Sequence, residues 1–149
     1  MSTAVDSANL ILKLYELRRE EVMRKARDYM FGFNPNNVEE YMAGMMGPNS
    51  AHIRMFMSYW EMAASLVNAG AIDAKMFNEA NGEHVVAFSK VDLFIEPLRA
   101  AFGSQDLYHN LQKVCYDAPN GKEKVALTRE RMRAMAAKFA EAHANRAKA

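Results

Sequence analysis

The polar residues in the most apolar part of the chain, residues 51–69, follow a helical spacing. At about 100° per residue they form one narrow stripe, at intervals of four, three, four and three residues, and the rest of the circumference is apolar. The stripe consists of Arg54, Ser58, Glu61, Ser65 and Asn68. This pattern predicts a central helix that is buried on most of its surface, with Ser50 as its N-cap and Gly70 just beyond its end.

Glu61 is the one formal charge between residues 55 and 72. A membrane span is a poor interpretation, because the segment is marginal in length once Glu61 and Asn68 are counted against it. A spanning helix also has no reason to align its polar residues. We therefore expect Glu61 on the thin exposed edge of the central helix, where it shares water-mediated contacts with Arg54. The open alternative is a cleft floored by the stripe, with Glu61 as a functional carboxylate.

Helical apolar patterns continue on both sides of the central helix and predict an irregular all-α bundle of about six to seven helices. We expect one domain over residues 1–149, organised around the central apolar helix. Caps are expected at Ser7, Asn37, Asp73 and Ser104, and a kink near Leu93 caused by Pro97. The expected helices span residues 7–30, 38–46, 51–69, 74–80, 84–102, 105–116 and 122–144.

The net charge of +1 gives no overall preference for nucleic acid or an anionic membrane. The charge is uneven, however, because residues 122–149 hold eight basic and three acidic residues, against eleven and fifteen in the rest. This basic C-terminal helix, from about residue 122, carries a heptad-like seam that either docks on its own domain or contacts a second copy. Nucleic acid is not an expected partner, since no aromatic platform accompanies the charge. The seam consists of Val125, Thr128, Met132, Met135, Phe139 and Ala142.

Candidate chemistry is sparse in this sequence. No two histidines lie four residues apart and none follows a glutamate by three, so the spacing predicts no metal site, and we expect no cofactor. His84 begins an apolar stripe and is expected in the core or in the first turn of a helix. Cys115 is expected to be a buried, unreactive thiol. No phosphate-binding or nucleophile motif occurs, so we assign no catalytic residue.

The single cysteine excludes an intrachain disulfide and fits a reducing compartment. The first ten residues lack a basic stretch before an apolar run and include Asp6, which is not typical of a secretory signal. From these two observations we expect a cytoplasmic protein without a membrane partner.

The stretch YWEMAASLVNAGAID, residues 59–73, together with NLILKLYELRREEVMRKARD nearer the N-terminus, resembles a family of uncharacterised, mostly bacterial helical proteins classed as a domain of unknown function. The resemblance covers most of the chain, to about Phe102, and weakens through the tail. It implies an all-α fold and no established activity, and it carries no catalytic residue over to this chain.

The sequence leaves two functions open. The favoured one is a non-enzymatic interaction or structural module that forms a homodimer, with an unidentified second protein as an open possibility. Its interface residues would be Val125, Met132, Met135, Phe139 and Trp60. The alternative is a small-ligand-binding protein or enzyme, in which Arg54 holds an anionic group and Glu61 acts as a base or hydrogen-bond acceptor. Its cleft beside Glu61 would use Arg54, Tyr59, Glu61, His52 and His84.

Overall fold

The computed structural model of the protein describes residues 2–149, and within that range the regular structure is entirely helical. The all-α class is therefore confirmed. A central helix, α4, packs against α2, α3, α5, α6 and α8, as the apolar pattern predicted. In chain order the elements are α1 (Ala4–Arg18), α2 (Glu21–Gly32), α3 (Val38–Met46), α4 (Ser50–Asn68), α5 (Ala74–Ala80), α6 (Glu83–Ser89), a 3₁₀ turn (Asp92–Phe94), α7 (Ile95–Phe102), α8 (His109–Asp117) and α9 (Gly121–Lys148).

The central helix buries one apolar face, and Trp60 on that face is wholly inaccessible to solvent. Its exposed side is wider than the predicted polar stripe, because Met55 and Met62 are 38% and 42% exposed. Gly70 has φ of +80°, a left-handed conformation that glycine adopts without strain, and the N–H of Ala71 donates to the carbonyl of Leu66 to close the helix. The predicted end at Gly70 is thus confirmed. The predicted cap at Ser50 is wrong, because Ser50 is the first residue of α4 and Asn49 precedes it without a side-chain cap.

The expected first helix over residues 7–30 is wrong, because the structure divides it into α1 and α2. Glu20 causes the division locally, since its carboxylate accepts hydrogen bonds from the N–H groups of Val22 and Met23 and thereby starts a new helix. The start of α1 is a capping box of Thr3 and Asp6 rather than Ser7. The break allows α1 to pack on α5 while α2 packs on α4.

The expected kinked helix over residues 84–102 is also wrong. The chain forms α6, leaves the helix at Lys90, makes the 3₁₀ turn and starts again as α7. Pro97 is the third residue of α7, where a backbone N–H has no acceptor inside the helix, so the proline ring costs no hydrogen bond. A new helix start therefore replaces the kink that we expected at Leu93.

Of the other predicted helix caps and ends, three are confirmed and one is not. Asn37 and Asp73 cap α3 and α5 through their side chains, and Gly103, with φ of +64°, ends α7. Ser104 does not cap the next helix, because α8 begins only at His109. Within residues 2–149, no helix combines the length and apolar character that a membrane crossing requires.

A partly buried polar contact connects three helices. Glu83, in the first turn of α6, accepts hydrogen bonds from the Nε and Nη2 of Arg27 in α2, at 2.8 and 2.9 Å, and from the Nε1 of Trp60 in α4, at 3.2 Å. A bidentate arginine–carboxylate pair holds a fixed geometry. The pair satisfies the indole N–H that the burial of Trp60 would otherwise leave without a partner.

We expect Gly121→Ala to lower the free energy of unfolding by about 2–3 kcal/mol, because there is no room for a methyl group where α9 turns back on α8. A Cβ at Gly121 would lie 2.1 Å from the carbonyl oxygen of Cys115 and 2.9 Å from the Cα of Tyr116. These are backbone atoms, which cannot swing aside as a flexible side chain would. Urea unfolding followed by circular dichroism measures the loss.

The matched control is Gly32→Ala at the end of α2, where an added Cβ has no atom within 4 Å. Its stability should stay within about 1 kcal/mol of the parent protein. Equal losses at Gly121 and Gly32 would contradict the steric explanation.

Candidate functional site

Glu61 in α4 supplies the N-terminal cap of α8. Its carboxylate accepts hydrogen bonds from the backbone N–H groups of Asn110 and Leu111, at 3.0 and 2.9 Å, and from the Nδ2 of Asn110, at 3.1 Å. These two N–H groups belong to the first turn of α8, which has no side-chain cap of its own. A carboxylate there is also favoured by the positive end of the helix dipole. Glu61 is therefore engaged in structure and is not a free base.

The rest of the polar stripe has mixed roles. The Nδ2 of Asn68 donates to the carbonyl and the Oδ1 of Asn110, at 3.3 and 2.9 Å, so a second stripe residue holds the start of α8. Ser58 and Ser65 donate to carbonyls of their own helix. Arg54 donates to the Oγ of Ser50 at 3.3 Å. Two of the five stripe residues thus bind a neighbouring helix.

A cleft of about 720 Å³ lies beside this stripe, and we call it the stripe cleft. It brings together only two of the five residues that the sequence proposed for a ligand, Arg54 and Glu61. Most of their neighbours are apolar or aromatic, and Ser58, Ser104 and Asp106 are the other polar residues of the lining, a mixture that suits binding. The neighbours include Met55, Phe102 and Tyr108.

The other three proposed ligand residues lie elsewhere. The hydroxyl of Tyr59 donates to the carbonyl of Leu14 in α1, and burial raises the pKa of Tyr59 to about 12. His52 packs against the ring of Tyr29 in α2, with the ring centroids 5.6 Å apart. His84 lies in the core. The structure therefore does not assemble the five-residue constellation that the sequence suggested.

His84 is fully buried against aromatic rings, with Phe77 at 4.6 Å between centroids. Its Nε2 lies 2.8 Å from the Oδ1 of Asn78, while the Nδ2 of Asn78 donates to the carbonyl of Ala74. That second bond fixes the amide orientation, so Nε2 carries the proton and Nδ1 is a bare acceptor, buried without a partner. Burial lowers the pKa of His84 to about 4.

A larger cleft, of about 940 Å³, lies between the end of α4, α5, the start of α6, the end of α8 and α9, and we call it the α9 cleft. His84 and Cys115 are among its lining residues. The thiol of Cys115 donates to the carbonyl of His84 at 3.8 Å, and burial raises the pKa of that thiol to about 12. Cys115 is therefore a protonated thiol rather than a nucleophile. No local motif pointed to this cleft, because five separate helices form it.

The first half of the C-terminal helix α9 packs on the core of the protein, and its second half extends beyond the core. Val125 and Met132 are buried against the protein's own core. Two partly buried polar contacts that the sequence did not reveal support the docking, since Arg129 pairs with Asp92 and the Nη2 of Arg133 donates to the carbonyl of Pro35 at 3.1 Å. Beyond them, every residue from 137 to 149 is exposed.

Three of the five residues that the sequence proposed for an interface are not available for one. Trp60, Val125 and Met132 are buried inside the chain, so they have no free surface for a partner. Trp60 was chosen for its aromatic character, but a tryptophan on a helix that is apolar on most of its circumference points into the core. Met135 and Phe139 remain exposed, at 38% and 54%. Phe139 also packs edge-on against Phe31, with the ring centroids 5.2 Å apart.

These features define an all-helical protein whose buried central helix caps and positions its neighbours. The chain belongs to the family described as a domain of unknown function (DUF4760), whose model matches residues 3–117. The match ends at the last residue of α8, so α9 lies outside it. No curated protein matches the chain, and no solved structure matches it.

We expect Glu61→Ala to destabilise the protein by about 2 kcal/mol, because it removes a charged acceptor from two helix-terminal N–H groups. Glu61→Gln should lose less, since its amide oxygen still accepts one bond. Urea unfolding measures the loss, and hydrogen exchange should be faster at the amides of Asn110 and Leu111. The control is Glu16→Ala, whose exposed carboxylate lies 3.7 Å from Lys13 and should cost under about 0.5 kcal/mol. Equal effects at the two positions would rule out the cap.

We expect stability to fall as the pH is lowered through the range between the two pKa values of His84. In the unfolded chain its pKa is about 6.5, while burial lowers the pKa to about 4 in the folded protein. The unfolded state therefore takes up the proton first, at a cost of about 1.4 kcal/mol per pH unit. His84→Phe should flatten this part of the unfolding profile. His143→Phe, at an exposed position, should leave the profile unchanged, and an unchanged slope in His84→Phe would contradict the assignment.

Proposed function

We propose that this protein is a non-enzymatic interaction module that forms a homodimer through the projecting half of α9. The observation that carries the proposal is the continuation of one apolar stripe past the edge of the folded core. Val125 and Met132 dock on the protein itself, and Met135 and Phe139 follow at intervals of three and four residues with their side chains exposed.

The length of α9 supports a partner for its outer half. A helix of 28 residues is about 42 Å long. Its last 12 residues, 137–148, are all exposed, although the ring of Phe139 contacts Phe31. An isolated helix of that length is only marginally stable in water. A helix that projects so far is supported best by packing against another surface.

The charge distribution supports a second copy as that surface. Residues 122–149 hold eight basic and three acidic residues, whereas the rest of the chain holds eleven basic and fifteen acidic residues. The basic helix of one copy therefore meets an acidic body in the other. A two-fold dimer forms this contact twice, because each copy supplies both surfaces.

The module acts as one helical domain over its whole length, and the cytoplasm is its proposed location. The buried cluster supports the first point, since it draws residues from each of the helices α1 to α9, with Tyr41 from α3 and Phe77 from α5. The proposed cytoplasmic location rests on the single cysteine, Cys115, which is buried and forms no disulfide. Free cysteines are typical of reducing compartments.

We expect the parent protein to have a native mass of twice 16.8 kDa, and Met135→Glu with Phe139→Glu to reduce it to one chain. A carboxylate at these positions removes apolar contact area and places a charge where the dimer would bury it. Light scattering during size-exclusion chromatography and native mass spectrometry measure the mass. Raising the salt concentration should also weaken the dimer, since its charges lie at the surface.

The matched control is Met46→Glu, at a highly exposed methionine at the end of α3, which should leave the dimer intact. Circular dichroism confirms that all variants are folded. A parent protein that stays monomeric across the concentration range, or a dimer that tolerates both α9 changes, would overturn the proposal.

A further inference from the structure

The α9 cleft has the size and the wall chemistry of a small-molecule site. Its volume of about 940 Å³ is at the upper end of the usual range for such sites, about 300–1,000 Å³. Apolar side chains from five helices line it, including Val67 of α4, Val85 of α6, Val114 of α8 and Leu127 of α9. Leu127 is 65% exposed although it lines a concave surface. An apolar ligand body would cover it.

The charges around this cleft are unbalanced. Glu79 is paired with Lys75, at 3.9 Å, and Asp117 with Lys113, at 2.5 Å, so both carboxylates that line the cleft have a cation beside them.

Lys124 and Arg131, two turns apart on α9, line the same wall, and within residues 2–149 neither forms a salt bridge or a side-chain hydrogen bond. Two uncompensated cations on one wall of an apolar cleft attract an anionic group.

A buried polar atom without a partner lies on one of the residues that line the cleft. Within residues 2–149 the Nδ1 of His84 is a buried acceptor with no donor. The tautomer is set by Asn78, which also lines the cleft. An unsatisfied buried acceptor costs free energy, and a ligand N–H or O–H that reached this nitrogen would remove that cost.

From these three observations we infer that the α9 cleft binds a small organic anion that has an apolar body and an N–H or O–H donor. The apolar body covers Leu127 and the valines, the anionic group pairs with Lys124 and Arg131, and the donor reaches toward His84. Because α9 lies outside the residues that the family model matches, the cationic wall is a feature of this chain beyond the matched region. The inference does not depend on the dimer.

Two fluorescent probes test this inference on the full chain. The first, 8-anilinonaphthalene-1-sulfonate, has an apolar aromatic body, an N–H group and a sulfonate. The second, N-phenyl-1-naphthylamine, has the same body and N–H group without the charge. We expect the sulfonate to bind at one site per chain and more tightly than the neutral probe, as measured by fluorescence titration.

Changes on the cleft wall should separate the two probes. Lys124→Gln with Arg131→Gln should lower the affinity for the sulfonate about tenfold, the size of two surface charge interactions, and leave the affinity for the neutral probe unchanged. Leu127→Asp should lower the affinity for both probes. The matched charge control is Lys138→Gln with Arg146→Gln on the projecting part of α9, which should affect neither probe.

Each position is exposed, so the variants should fold, and their unfolding curves verify it. The absence of sulfonate binding would overturn the inference, as would equal losses for both probes in the Lys124 and Arg131 variant. Binding that Phe139→Glu removes and Leu127→Asp leaves intact would place the probe on the projecting helix instead, and would also overturn it.

Discussion

The burial of the apolar face of α4 is the constraint on which the rest of the structure depends. Two adjacent residues of this helix make its polar contacts in different directions. Trp60 donates to Glu83 of α6, which also holds Arg27 of α2, while Glu61 accepts the first free N–H groups of α8. Buried helices need such contacts, because a polar group that is removed from water without a partner is costly. The helix therefore provides both the apolar centre and the polar alignment of its neighbours.

The C-terminal helix relates the core to both proposed functions. Its first half is anchored by Val125, Met132 and the Arg129–Asp92 pair, and the other side of that half forms the cationic wall of the α9 cleft. Its second half extends past the core and exposes Phe139. Because docking fixes the direction of the whole helix, the same contacts position the cleft wall and the projecting surface. A ligand in the cleft and a second copy on the projection would occupy different parts of one rigid element.

The two wrong helix spans in the sequence-based interpretation have a common cause. The stripes over residues 7–30 and 84–102 keep a helical phase, and a phase alone does not show where the chain leaves one helix and starts another. Glu20 starts α2 by capping it, and Pro97 falls in the first turn of α7, where it is harmless. Among the local signals, the Asn37 cap and the Gly103 terminus were predicted correctly, whereas the caps at Ser7, Ser50 and Ser104 were not.

The sequence by itself determined the all-α class, the central helix and most helix ends, because apolar periodicity, caps and glycine conformations act within a few residues. Only the tertiary structure decided the role of Glu61, since its partners Asn110 and Leu111 lie about fifty positions away and are backbone groups that any residue carries. The same holds for the α9 cleft, whose walls come from five helices. Local rules describe the chain along its length, whereas caps from distant helices and concave surfaces exist only once the helices are packed.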